Sequence, residues 1–216
     1  MEIHADPITI NCRKVLAGLQ LMGAPYKLVH VDYFKGAQKE MPYVGLNPNA
    51  SVPAMRDGDF ELWESNAILM YAGDKTGNER AYPRDLRTRA DINRWLLWES
   101  SSWFPACYVY LVENCVKPLL GGEADQNVLD AHNAQFHKLA AILNARLAKH
   151  QWVAGTEHPT IADIALAAPL HLHGWQRVPL EQHVHISRWL LEGIEKLPCW
   201  QDTHVGKGFT LERNAG

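Results

Sequence analysis

The 216-residue chain has little cysteine and no pattern in what it has. Cys12, Cys107, Cys115 and Cys199 are scattered and form no CxxC pair. Neither a disulfide framework nor a cysteine-based metal site is expected, and a reducing cytoplasm is the natural compartment. Long apolar runs are missing as well. The longest, around Ile164 to Leu172, falls far short of the roughly 20 residues needed to cross a bilayer, so no membrane partner is expected. The opening MEIHADPITINC carries an acid at position 2 and no apolar stretch, so neither a secretory signal nor a transit peptide is expected. Charge of one sign is not in excess: 21 basic residues stand against 24 acidic ones, for a net charge of −3. Such a surface has no field suited to a polyanion, and nucleic acid is not an expected partner. Repeats and low-complexity tracts are also absent. The His171-Leu172-His173 and His183-Val184-His185 pairs have no carboxylate or cysteine cluster beside them, so they read as satisfied or exposed histidines and no metal is expected.

What is present describes a globular chain. Hydrophobic residues make up 47% and charged residues 21%, which is enough apolar surface for a core and excludes a largely disordered chain. The length allows one large domain or two small ones. Residues 1–75 have mixed character. A short apolar-leaning start at Glu2 to His4 meets a turn at Asp6-Pro7. From Asn11, Val15, Leu16, Leu19 and Met22 follow helical spacing up to Gly23. Tyr26 to Val31 reads as a strand, and Gly36 to Ser51, with Pro42 and Pro48, as a loop holding at most a turn of helix. Val52 to Met55 and Phe60 to Trp63 read as strands joined at Asp57-Gly58, and Glu64-Ser65-Asn66 caps a helix running through Ala67 to Ala72.

Beyond a polar linker at Lys75 to Asp85, strand signals vanish and most of the eight tryptophans are found. Arg89 to Val116 predicts a long helix kinked at Pro105. Val128, His132, Phe136, Leu139, Leu143 and Leu147 predict an amphipathic one. Thr160 with Asp163 forms a capping box in which Asp replaces the usual Glu, and Ser187 to Leu197 is helical until Pro198. The expected architecture is a β-α-β/β-β-α domain over 1–78 followed by an all-helical domain over 86–216.

Three local patterns accompany this architecture. Thr9-Ile10-Asn11-Cys12-Arg13-Lys14-Val15 matches an S/T-x-N-x-x-K/R-V opening of a first helix. Gly36 to Pro42 and then Leu46-Asn47-Pro48 through Val52-Pro53-Ala54-Met55 match a G…P…NP-x-x-x-VPxL run. Trp63-Glu64-Ser65-Asn66-Ala67-Ile68-Leu69 matches an ESxAI run. Together they make the chain resemble the soluble glutathione S-transferases, bacterial members with a Ser/Thr-type active-site motif in particular. The resemblance implies a thioredoxin-like first domain that binds glutathione and a helical second domain that meets an electrophile. One departure is the Asn49-Ala50-Ser51 stretch, which stands where the family often has a glycine.

Glutathione attacks as a thiolate, yet a free thiol has a pKa of about 8.5. Lowering it by about two units takes roughly 2.7 kcal/mol of preferential anion binding. One hydroxyl donor contributes about 1.5–3 kcal/mol, and a helix N-terminus adds a little more. The resemblance places Thr9 as that donor with Asn11 as a second; the alternative for Thr9 is a plain helix N-cap, and for Asn11 a turn residue. Cys12 lies three residues past the position where thiol-using classes keep their cysteine and is expected to face inward. The resemblance further implies a cis bond before Pro53, with Val52 pairing the cysteinyl part of the tripeptide like an added strand and Ser51 among the glutathione-binding residues. It puts the γ-glutamyl end on Glu64 and Ser65, where a helix start offers free N–H groups, and the glycine end near Gln38 and Lys39. Ile8, Trp103, Phe104 and Tyr108 are expected to line an apolar electrophile pocket, the alternative being that the aromatic stripe is core.

The expected activity is therefore a glutathione transferase acting on a hydrophobic electrophile, and the resemblance also implies a homodimer. One alternative is a disulfide reductase working through bound glutathione instead of protein cysteines. Another is a non-catalytic glutathione-binding module.

Overall fold

The computed structural model describes residues 1–204. The described chain divides into two compact units, Met1–Thr76 with residues 197–204, and Gly77–Lys196.

In the first unit a four-stranded sheet has the order β2-β1-β3-β4. Strand β1 (Glu2–Ala5) pairs in parallel with β2 (Lys27–His30) and antiparallel with β3 (Ala54–Asp57), which returns through a two-residue turn at Gly58-Asp59 as β4 (Phe60–Trp63). Side chains alternate along β1, so that Ile3 and Ala5 are buried. Strand β3 starts two residues later than the sequence suggests, because Pro53 has no N–H to give to the ladder.

Helix α1 (Ile10–Met22) ends at Gly23, whose φ of 65° gives the left-handed turn that closes a helix. It packs against α3 (Ser65–Thr76) so closely that a Cβ on Gly18 would meet the Leu69 side chain. Between β2 and β3 the chain makes only a short turn at Ala37–Lys39 and the single-turn α2 (Tyr43–Leu46).

The second unit is helical. A continuous run passes through α4 (Leu86–Trp98), α5 (Phe104–Leu111) and α6 (Lys117–Leu119), joined by wide π-turns at Glu99–Trp103 and Val112–Val116. Pro105, where a kink is expected, stands at the start of α5, directly after the first of these turns. The hydrogen-bond ladder already changes register there, so the missing proline N–H disrupts little. Then come α7 (Gln126–Leu147), α8 (Ile161–Ala167), α9 (His173–Gln176) and α10 (Val184–Arg188). The expected capping box is present at α8, where the buried Asp163 carboxylate accepts from Thr160 N at 2.9 Å and Thr160 Oγ1 at 3.1 Å. No described helix is long and apolar enough to cross a membrane.

The last described helix, α11 (Pro198–Asp202), belongs to the first unit, whereas the sequence assigned everything after residue 86 to the helical domain. The reason lies on α1. The buried Arg13 guanidinium stacks 4.1 Å from the Trp200 ring and donates to the Trp200 carbonyl at 3.1 Å, which draws α11 onto α1.

Candidate active site

Past β1, a buried Asp6 braces the loop that leads into α1. Its carboxylate accepts from Ile8 N at 3.2 Å and from Tyr33 N at 3.0 Å. Its carbonyl accepts both the backbone N–H and the hydroxyl of Thr9, each at 3.0 Å. Thr9 sits at the N-cap of α1 with an extended backbone, φ −83° and ψ 146°, yet its side chain makes no capping bond. An N-cap hydroxyl normally accepts from the helix; this one is turned to donate. It is half-buried. Asn11, also half-buried, keeps its Oδ1 without a partner among the described residues.

Cys12 is fully buried one turn into the helix. Burial pushes its thiol up to about 12, with the Thr9 side chain and the Asp6 backbone pulling more weakly the other way. A thiol held protonated is a poor nucleophile and a poor redox centre.

The segment before β3 is pinned from below. Tyr43 Oη and Asn47 Nδ2 both donate to the Ser51 carbonyl, at 2.6 and 2.7 Å. Asn47 Oδ1 in turn accepts from Asn49 N at 3.1 Å and Asn49 Nδ2 at 3.0 Å. Burial raises the Tyr43 phenol above its ordinary range, so it remains a donor. Ser51 is exposed, Val52 is buried, and the Val52–Pro53 bond is cis. In the preceding loop Gln38 is buried with its Oε1 unpartnered among the described residues, while Lys39 beside it is exposed. A buried amide oxygen left without a donor is uncommon in folded proteins and is what a polar ligand satisfies.

Glu64, at the end of the hairpin, is exposed and has a φ of 73°, a conformation that costs a non-glycine residue about 1–3 kcal/mol. It delivers the chain into α3, whose first residue, Ser65, is buried. The Lys14 ammonium, fully buried on α1, donates to Ser65 Oγ at 3.1 Å and to Asn66 Oδ1 at 3.4 Å.

In the helical unit one expected pocket residue is misplaced. Trp103 is completely buried, stacked on Trp98 and Phe136 at 5.8 and 5.5 Å, and its indole N–H donates to the Leu166 carbonyl at 2.9 Å. It is a core residue, the last of the π-turn that leads into α5. Phe104 and Tyr108 stack on each other at 5.3 Å and keep surface exposed. On the first unit, Ile8 is half-buried. Of the paired histidines, His173 meets Glu195 at 3.1 Å and His183 meets His137 at 2.9 Å. No group of three or more His, Cys, Asp or Glu among the described residues is arranged to hold a metal.

Four residues with evident positioning roles were given no role from the sequence: Asp6, Lys14, Tyr43 and Asn47. Asp6 appeared there only as half of a turn signal, and Lys14 and Asn47 only as positions of the matched motifs. Lys14 had a further cue, since it is a charged residue set among the apolar positions of α1.

Residues 3–74 match the family described as glutathione S-transferase, N-terminal domain, and residues 126–190 match glutathione S-transferase, C-terminal domain. The chain is 32% identical over 211 residues to glutathione S-transferase 3 of Zea mays, covering 94% of this chain and 92% of that protein. It is 30% identical over 192 residues to the probable glutathione S-transferase GSTF2 of Oryza sativa subsp. japonica, covering 88% and 89%. Among solved structures it is similar to maize glutathione S-transferase I in complex with an atrazine glutathione conjugate, at a TM-score of 0.82 and 25% identity, covering 94% of this chain and 96% of that one.

Proposed function

Because the chain belongs to the glutathione S-transferase family, we propose that its glutathione transferase activity works through Thr9, which stabilises the glutathione thiolate, with Asn11 as a second donor. The thiolate attacks an electrophilic carbon, the new C–S bond forms, and the leaving group departs with its electron pair. The observation that carries this reading is the Thr9 hydroxyl at the N-cap of α1, which makes no capping bond and is turned to donate. The Ser/Thr-type opening that this implies is the one read from Thr9 to Val15.

The tripeptide lies along unit 1. Ser51 and Val52, held by Tyr43 and Asn47, pair with its cysteinyl backbone ahead of Pro53. Glu64 meets the γ-glutamyl ammonium and Ser65 its carboxylate. Gln38, with its unpartnered oxygen, and Lys39 meet the glycine end. Phe104 and Tyr108 of the helical unit offer aromatic surface to an apolar electrophile, and Ile8 is a half-buried apolar residue of the first unit. The first unit is thus the glutathione domain and the helical unit the electrophile domain.

A second copy of the chain is the expected partner. Edge strand β4 exposes Phe60 and Trp63, 45% and 40% accessible, and an open sheet edge can take a second copy. Light scattering that returned a dimer mass would support this, and a monomer mass would remove it. Four unpaired thiols suit a cytoplasmic location.

The test of the activity assays glutathione with an aromatic halide alongside hydroxyethyl disulfide. Conjugation dominating is the expected result. Reductase turnover in excess would assign the site to disulfide exchange through bound glutathione. Tight glutathione binding with no turnover on either would make the chain a binding module.

A further inference from the structure

Ser65 has one hydroxyl proton and two lone pairs, and an ammonium can only donate. With Lys14 Nζ 3.1 Å away, Ser65 Oγ is the acceptor of that bond, so its own proton must point elsewhere. Among the described residues no acceptor takes it. The serine is buried, and so is the ammonium behind it. Lys14 also places its ammonium behind the first turn of α3, whose leading N–H groups have no partners within the helix. An outward hydroxyl proton backed by a cation suits a group that accepts only and carries negative charge, which is a carboxylate.

We propose that Lys14 is a positioning residue of the γ-glutamyl subsite: it turns the Ser65 hydroxyl outward and makes that end of the site select a carboxylate over a neutral group. This rests on the assignment of Ser65 to the γ-glutamyl end. Lys14 does not touch glutathione and acts through Ser65 Oγ. A lysine serves here because its ammonium is a compact point charge that needs no planar partner.

The experiment titrates the full-length protein calorimetrically with two probes. One is glutathione and the other is 4-aminobutanoyl-cysteinylglycine, which lacks only the γ-glutamyl carboxylate. Wild-type protein is expected to favour glutathione by about tenfold or more, the lower end of what a charge-assisted hydrogen bond contributes. Lys14→Met is expected to lower glutathione affinity about tenfold, leave the analogue's affinity within about twofold, and raise KM with kcat little changed. Ser65→Ala, which keeps the ammonium in place, is expected to lose most of the same discrimination, and Lys14→Met/Ser65→Ala to be no weaker than either single variant by more than about twofold. Equal weakening of both probes by Lys14→Met, or additive effects in the double variant, would overturn the proposal. If Lys14→Met does not fold, discrimination retained in Ser65→Ala overturns it on its own. Wild-type protein that binds glutathione but does not distinguish the probes overturns the subsite assignment along with the proposal, whereas wild-type discrimination untouched by Lys14→Met overturns the proposal alone.

Discussion

The hydroxyl of Thr9 already donates to the carbonyl of Asp6 at 3.0 Å. It has one proton, so serving a thiolate means giving up that bond. A neutral hydrogen bond contributes about 1 kcal/mol net and one to a charged acceptor about 1.5–3. The exchange therefore favours the thiolate, but by less than the full value of the new bond. On that exchange the proposed role of Thr9 corresponds to about one unit of thiol pKa lowering, with the rest assigned to Asn11 and the helix start. Thr9→Ala is accordingly expected to raise the pKa of the bound thiol by about one unit and, from a bound value about two units below the free one, to lower conjugation at pH 7 about threefold, with Thr9→Ser close to wild type. Ultraviolet titration of bound thiolate together with a pH–rate profile reads both. A deficit of equal size at pH 9 would mean that Thr9 does not act on ionisation.

The cysteines should be inert in the native protein. All four are buried; burial raises Cys12 to about 12, Cys115 and Cys199 to about 11, and Cys107 well above its ordinary value. A chromogenic thiol reagent at pH 8 is expected to label slowly until denaturant is added, and Cys12→Ala to retain conjugation. Fast stoichiometric labelling of Cys12 would contradict its placement.

Asp163 holds the helical unit together. Its carboxylate accepts from Val153 N at 2.8 Å and Trp189 Nε1 at 3.1 Å besides the two Thr160 donors. Asp163→Ala strands four buried donors, and a loss of about 3–5 kcal/mol in unfolding free energy is expected from denaturant titration. A loss under about 1 kcal/mol would show that the cluster relaxes around the cavity.

His183 makes the helical unit sensitive to acid. Its pKa is lowered, first by burial and then by His137, which lies 2.9 Å away. The folded state disfavours the charged form, so the stability this group contributes is complete above the unfolded value near 6.5 and is lost as pH falls through the lower folded value. Thermal melts are expected to show a falling Tm between pH 7 and pH 5, with a shallower slope in His183→Gln. Parallel slopes in the two proteins would assign the acid sensitivity elsewhere.

The pattern-based parts of the fold were legible because they are local. The apolar spacing of α1 and α7, Gly23 as a helix stop, Asp57-Gly58 as a hairpin and Thr160 with Asp163 as a cap each depend on residues within a few positions. Trp103 was not legible. Whether an aromatic on a helix faces a pocket or the core depends on the helix's rotation, and Trp103 closes a π-turn, where that rotation departs from the regular helical one. The return of α11 to the first unit was hidden for a similar reason, since it depends on Arg13 and Trp200 meeting across 187 positions.

By itself the sequence determined which residue types stand at the mouth of α1, before β3 and at the start of α3, because caps, turns and motifs are written in short spacings. Only the tertiary structure decided what those residues are free to do. The Thr9 hydroxyl donates rather than caps because the Asp6 carbonyl faces it. Ser65 Oγ accepts because a lysine from another helix reaches it. A hydrogen bond depends on distance and direction in space, and neither is set until separate segments of chain have packed together.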